Sequence, residues 1–151
     1  MSLAITLHLL AAILWVGGMF FAHMALRPAA VAHLEPPLRL TLWTAVFGRF
    51  FPWVWLAVAV LLATGYWMLF AVFGGFAHAG LHIHVMNGLG LVMAALFAFL
   101  YAVPYRALRR HVAASQWQEA AGRLARIRQI VTTNLLLGLI TSAVGAGGRY
   151  L

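Results

Sequence analysis

The side chains best suited to chemistry in this sequence are its histidines, since the chain has no cysteine and only two acidic residues. Imidazole nitrogens bind copper and zinc, and they also bind the iron of heme. His8 lies near the start of the chain, and His78, His82 and His84 fall close together further on. Whether these four side chains can share one metal ion or heme depends on the elements that position them.

The composition excludes several other kinds of chemistry. Without cysteine there are no disulfides, thiolate metal sites or cysteine nucleophiles. The only acids, Glu35 and Glu119, both fall in arginine-bearing connections, so hydrolytic acid–base catalysis has no pair of carboxylates within the apolar segments. The chain of 151 residues is 65% hydrophobic and 8% charged, which indicates a membrane protein with a single domain.

Four apolar segments predict an all-α, integral membrane four-helix bundle, because each approaches the ~20 residues that a bilayer core requires. The spans are expected at about residues 3–26, 53–73, 82–101 and 130–147. Pro28, Pro52 and Pro104 are expected at or near helix ends. Residues 40–49 are expected to form a short interfacial helix before span two.

The arginines assign each connection to one side of the membrane. The net charge of +8 comes from arginine alone, and the stretch from Phe50 to Tyr105 has none. The positive-inside rule therefore predicts that both termini and the 74–81 loop are outside. The basic segment 105–128 is expected to be cytoplasmic, with helical extensions around a turn near Ser115. Because these arginines flank apolar spans, we expect anionic lipid headgroups, and not nucleic acid, as their partners.

This topology predicts that two histidines meet near the outer surface. Spans one and three cross the membrane in the same direction, with His8 and His84 close to their starts. On the same face as His8, Trp15 could form the wall of a site for a flat cofactor. His82 is expected to point about 200° away from His84. It would then face Met86, Leu89 and Met93, away from the bundle interior, or lie in the loop.

Small and polar residues indicate which helix faces pack together, because apolar side chains gain little from leaving lipid. Span one carries His8, Ala11, Ala12, Trp15, Gly18 and Ala22 on one face; span two offers Ala57, Thr64 and Gly65; span three carries His84, Asn87, Gly88, Leu91, Ala95 and Ala98; span four carries Asn134, Gly138, Thr141, Ser142, Gly145 and Gly148.

The pattern leaves copper, heme and a purely interfacial role open for these histidines. His78 and His82 could enlarge a copper site built on His8 and His84, and Met86 offers a soft sulfur ligand. His23 lies about 22 Å along span one from His8 and has no evident partner. The histidines among the arginines, His33 and His111, are expected to be solvated.

The segment HLLAAILWVGGMFFAHMALRP resembles the first helix of the CopD-like family of small membrane proteins, and LAVAVLLATG resembles a later part of the copper resistance protein D domain. The matching positions are His8, Trp15, Gly17, Gly18, Arg27 and Pro28. RLARIRQIVTTNLLL is similar to the entry of span four in the HemJ protoporphyrinogen oxidase family. Both families carry a lysine on the third helix, whereas this chain has Val85, Met86 and Asn87, which argues against transferring the oxidase activity.

The resemblance implies a copper-handling protein of the bacterial inner membrane, which binds or transports copper through the outer histidines and meets a periplasmic copper carrier or redox partner. It favours a non-enzymatic protein but leaves enzyme activity open. The alternative is a b-type heme protein in electron transfer or porphyrin oxidation, a heme-dependent oxidoreductase with heme between His8 and His84. A third hypothesis is an accessory subunit of a larger membrane complex. Each is compatible with an oligomer.

Overall fold

The computed structural model describes residues 1–148, and all the regular secondary structure in that range is helical. The elements are α1 (Ser2–Phe21), a π-helical turn (Ala22–Leu26), α2 (Arg27–His33), α3 (Pro36–Ala71), a 3₁₀ turn (Phe76–His78), α4 (Leu81–Leu100), a second π-helical turn (Tyr101–Tyr105), α5 (Arg106–Ala113) and α6 (Trp117–Gly147). Arg149, which follows the fourth predicted span, lies outside the described residues.

Four continuous helical stretches are long and apolar enough to cross a membrane: Ser2–His33, Pro36–Ala71, Leu81–Ala113 and Trp117–Gly147. They confirm the predicted all-helical membrane bundle. The chain runs back and forth, so α1 and α4 begin at the end where α3 and α6 finish. We call this the histidine end, because it holds His8, His78, His82 and His84, and we call the opposite end the arginine end.

The prolines do not end the helices, contrary to the sequence-based expectation. Pro28 follows one π-helical turn and Pro104 lies inside the other, and in both places the chain continues as helix. A proline cannot donate a backbone hydrogen bond and its ring crowds the carbonyl four residues earlier. The wider π turn changes this local pairing, so the helix passes the proline without ending.

The expected short helix at residues 40–49 is not a separate element, because α3 runs unbroken through Pro52. Proline inside a helix costs about 3 kcal/mol or more. On either side of it, Phe51 and Val54 are 3% and 1% exposed, so close packing holds both halves of the helix in place. The expected turn near Ser115 is confirmed between α5 and α6.

The helices pack as two antiparallel pairs, with α1 along α3 and α4 along α6, and α1 also packs against α6. From the middle of the bundle to the arginine end the interior is aromatic. Phe51 is at its centre, with ring centroids 5.0 Å from Phe47, 5.3 Å from Phe97 and 4.8 Å from Tyr105. Trp15 meets Phe97 edge to face at 6.1 Å, so α1 and α4 are joined through this cluster.

The packed faces of α1 and α6 agree with the sequence analysis, whereas α4 packs through a different face. Along α4 the buried side chains are Met93, Phe97 and Leu100. Four positions expected to face inward are exposed: His84, Gly88, Leu91 and Ala95. The large side chains of α4 fill gaps beside the glycines of α6, which turns the small-residue face of α4 outward.

Candidate metal site at the histidine end

His8 is held by α3, the neighbouring helix. Its Nδ1 lies 2.8 Å from the hydroxyl oxygen of Thr64, which in turn donates its hydrogen to the Val60 carbonyl at 2.6 Å. Because that hydroxyl has only one hydrogen, it accepts the bond from Nδ1–H of His8. In the neutral ring this leaves the Nε2 lone pair free, which is the state in which histidine binds a metal.

Gly65 makes room for this arrangement. A Cβ atom added there would lie 3.3 Å from Cε1 of His8, so the imidazole lies against bare helix backbone. The sequence pattern places Thr64 and Gly65 on the packed face of span two but does not connect them with His8. The adjacent Thr64 and Gly65 could have indicated this contact from the sequence, since a polar and a small residue side by side can hold a ring from a neighbouring helix.

The loop between α3 and α4 carries His78, whose Nδ1 lies 3.3 Å from the Gly74 carbonyl oxygen. Gly74 and Gly75 have φ values of +72° and +94°, which non-glycine residues rarely adopt. Just inside α4, His84 stacks on Phe76 with ring centroids 5.8 Å apart. Both imidazoles are exposed, and the loop therefore presents them at the surface of the histidine end.

His82 faces α6, although the sequence analysis expected it to point away from the bundle interior. A Cβ atom on Gly148 would lie 3.1 Å from Cγ of His82, and one on Gly145 would lie 2.9 Å from Cε of Met86. Two helical turns further along the same α4 face, Met93 meets Gly138 in the same way at 3.2 Å. The expected grouping of His82 with Met86 and Met93 is therefore present, but within the α4–α6 interface.

The four histidines share one end of the bundle without forming a closed cluster. Within residues 1–148, no three histidine or acidic side chains are close enough to hold one metal ion. His8 contacts α3 while His84 stacks on the loop, so each ring of the expected facing pair has its own partner. Trp15 is only 4% exposed and packs on Phe97. The assignment of these residues as ligands, and of Trp15 to a cofactor wall, stays a prediction.

These features define a multi-pass membrane protein with imidazole and thioether donors at one end. The family model for copper resistance protein D matches residues 44–147. Since this covers most of the chain, the protein belongs to the CopD family, as the sequence resemblance indicated. The match runs from within α3 to the end of α6 and does not include His8. Comparisons with curated proteins and with solved structures gave no match. The similarity to the HemJ family stays a prediction.

Proposed function

We propose that this protein handles copper in the bacterial inner membrane, taking up the ion at the histidine end and binding it or passing it into the bundle. Family membership supports a role in copper resistance. In this proposal copper is the cargo of the protein and not a resident cofactor. The relevant residues are therefore those that could bind the ion one after another. In this proposal the histidine end faces the periplasm, where a copper carrier could deliver or receive the ion.

The observation that carries the proposal is the arrangement of His82 and Met86 on α4. They lie one helical turn apart on the face that meets α6. Imidazole and thioether are suitable ligands for copper, and the soft sulfur favours the cuprous ion. Met93 extends the same face, so these donors reach about 16 Å along the helix into the bundle.

The other histidines lie at the same end of the bundle, where they could capture an ion. His78 and His84 are exposed at the loop and are accessible to an arriving ion. His8 lies half-buried on α1, and its Nε2 lone pair is free because Nδ1–H is donated to Thr64. A cuprous ion accepts few ligands, so it can be held by two donors at a time and need not find a closed cluster.

The test is cuprous-ion affinity of the full-length protein in detergent, measured by competition with a chromophoric chelator. We expect His82→Ala and Met86→Leu each to weaken copper binding about tenfold or more, as loss of a ligand or of its support does. His8→Ala should weaken it too. The matched controls are His33→Ala and Met24→Leu, which change the same residue types at exposed positions away from this face.

Equal copper affinity in the His82, Met86 and control variants would contradict the proposed site. The visible absorption spectrum of the purified protein tests the heme hypothesis at the same time. A Soret band that disappears in both His8→Ala and His84→Ala would support heme between these residues and would contradict a copper role for them.

A further inference from the structure

A cavity of about 250 Å³ opens at the arginine end, between the α1–α2 segment, α3 and α6. Its polar lining consists of His23, Arg27, Arg39 and Arg128. Apolar side chains form the remaining walls, among them Leu40, Trp43, Phe47, Leu124 and Val131. The cavity therefore combines a positively charged part with an apolar part.

The arginines converge from separate helices because of the helix register. Nδ1 of His23 lies 3.4 Å from the hydroxyl oxygen of Thr132, which aligns the π-helical turn after α1 with α6. Arg27 lies four residues after His23, and Arg128 lies four residues before Thr132. Because the two helices are antiparallel, both arginines are one turn nearer the arginine end and at about the same depth in the bundle. Arg39 adds a third guanidinium from α3.

This positive charge has no counterpart in the cavity. The lining, taken over residues 1–148, includes no carboxylate. Glu35 precedes Pro36 at the cavity edge, but it is exposed and could balance only one of three guanidiniums. Like charges held close together near a low-dielectric region repel one another, and an anion placed between them relieves this repulsion.

We propose that this cavity binds an anionic phospholipid, with the phosphate group on Arg27, Arg39 and Arg128 and an acyl chain along the apolar wall. The guanidinium fork matches the oxygens of a phosphate, which it binds with two parallel hydrogen bonds. A free phosphate ion would leave the exposed Val31 and the part-exposed Leu124 and Val131 uncovered, whereas a lipid fills both parts of the cavity. The inference is independent of copper, since it involves the opposite end of the bundle.

The experiment uses native mass spectrometry and thermal unfolding of the full-length protein in a neutral detergent with added phosphatidylglycerol. We expect R27Q/R39Q/R128Q to weaken lipid binding about tenfold or more, because hydrogen bonds to charged groups are lost. The matched control R110Q/R123Q/R126Q removes the same charge from positions at the same end that do not line the cavity, and it should keep the affinity of the cavity for the lipid. Phosphatidylcholine and inorganic phosphate serve as the comparison ligands.

A second variant tests the cavity without changing its charge. Ala121 is an exposed residue of the lining, and Ala121→Trp should block lipid entry while the fold is kept. Full phosphatidylglycerol binding by Ala121→Trp would overturn the proposal. Equal loss of phosphatidylglycerol affinity in the two arginine triple variants would also overturn it, since it would indicate an effect of general surface charge. So would equal stabilisation by inorganic phosphate and by phosphatidylglycerol, which would indicate a soluble anion as the ligand.

Discussion

Gly17 and Gly18 are neighbours in the chain but have opposite surroundings. A Cβ atom on Gly17 would meet nothing within 4 Å, whereas one on Gly18 would collide with the ring of Phe50 on α3. The second glycine therefore allows α1 and α3 to approach, and the first faces away. The sequence pattern predicts Gly18 on the packed face of α1, and the structure confirms this, because helical spacing determines which of two neighbours faces a given helix.

We expect Gly18→Ala to destabilise the protein by about 1–3 kcal/mol, the usual cost of overpacking a well-filled interior. Gly17→Ala should leave the free energy of unfolding unchanged or raise it slightly, because alanine is the better helix former. Thermal unfolding of both variants in detergent provides the measurement. Equal loss of stability in the two variants would show that the contact with Phe50 is not what requires glycine.

The face of α4 could not be predicted by the rule that identified α1 and α6. The rule favours small and polar residues at helix contacts, and it selected the face that carries His84 and Gly88. In the structure the flexible side chains of Met86 and Met93 fill spaces left by glycines on α6. Such a contact depends on the partner helix, so the residues of α4 alone do not reveal it.

At the scale of elements, the number and order of the long helices follow from hydrophobicity, but their ends do not. The sequence predicts that helices end at or near Pro28 and Pro104, but π-helical turns accommodate both prolines. The choice between a break and a π turn depends on packing beyond the proline, such as the buried Ala107 and Leu108 on α5. This tertiary contribution is not encoded in the local sequence.

The turn between α5 and α6 depends on the backbone conformation of a single residue, Ser115, which has a φ of +54°. We expect Ser115→Val to lower the free energy of unfolding by about 1–2 kcal/mol, because a β-branched side chain is strained at positive φ. Ser115→Gly should be tolerated, and Ala114→Val, at a φ of −90°, is the matched control. Thermal unfolding of the three variants measures the difference. A Ser115→Val protein as stable as the control would mean that the turn readily adopts another conformation.

At the scale of the whole molecule, the two ends of the bundle differ in chemistry. One end carries imidazole and thioether groups, and the other carries arginines around an aromatic interior and a basic cavity. The sequence predicted which residues gather at each end, because antiparallel spans fix that grouping. It did not predict the cavity, since Arg27, Arg39 and Arg128 converge only through the register of three helices.

The orientation of the bundle in the membrane is a prediction that the arginine distribution supports. The nine arginines of residues 1–148 all lie in the halves of the helices nearest the arginine end, and this end should therefore remain in the cytoplasm. The chain has no cysteine, so a single introduced cysteine is its only thiol. Ala77→Cys, in the exposed loop, should react with a membrane-impermeant maleimide on intact cells. Ala114→Cys, also at an exposed position but at the arginine end, should react only after permeabilisation. The reverse pattern would place the histidines in the cytoplasm, and uptake of copper from the periplasm at that end would have to be abandoned.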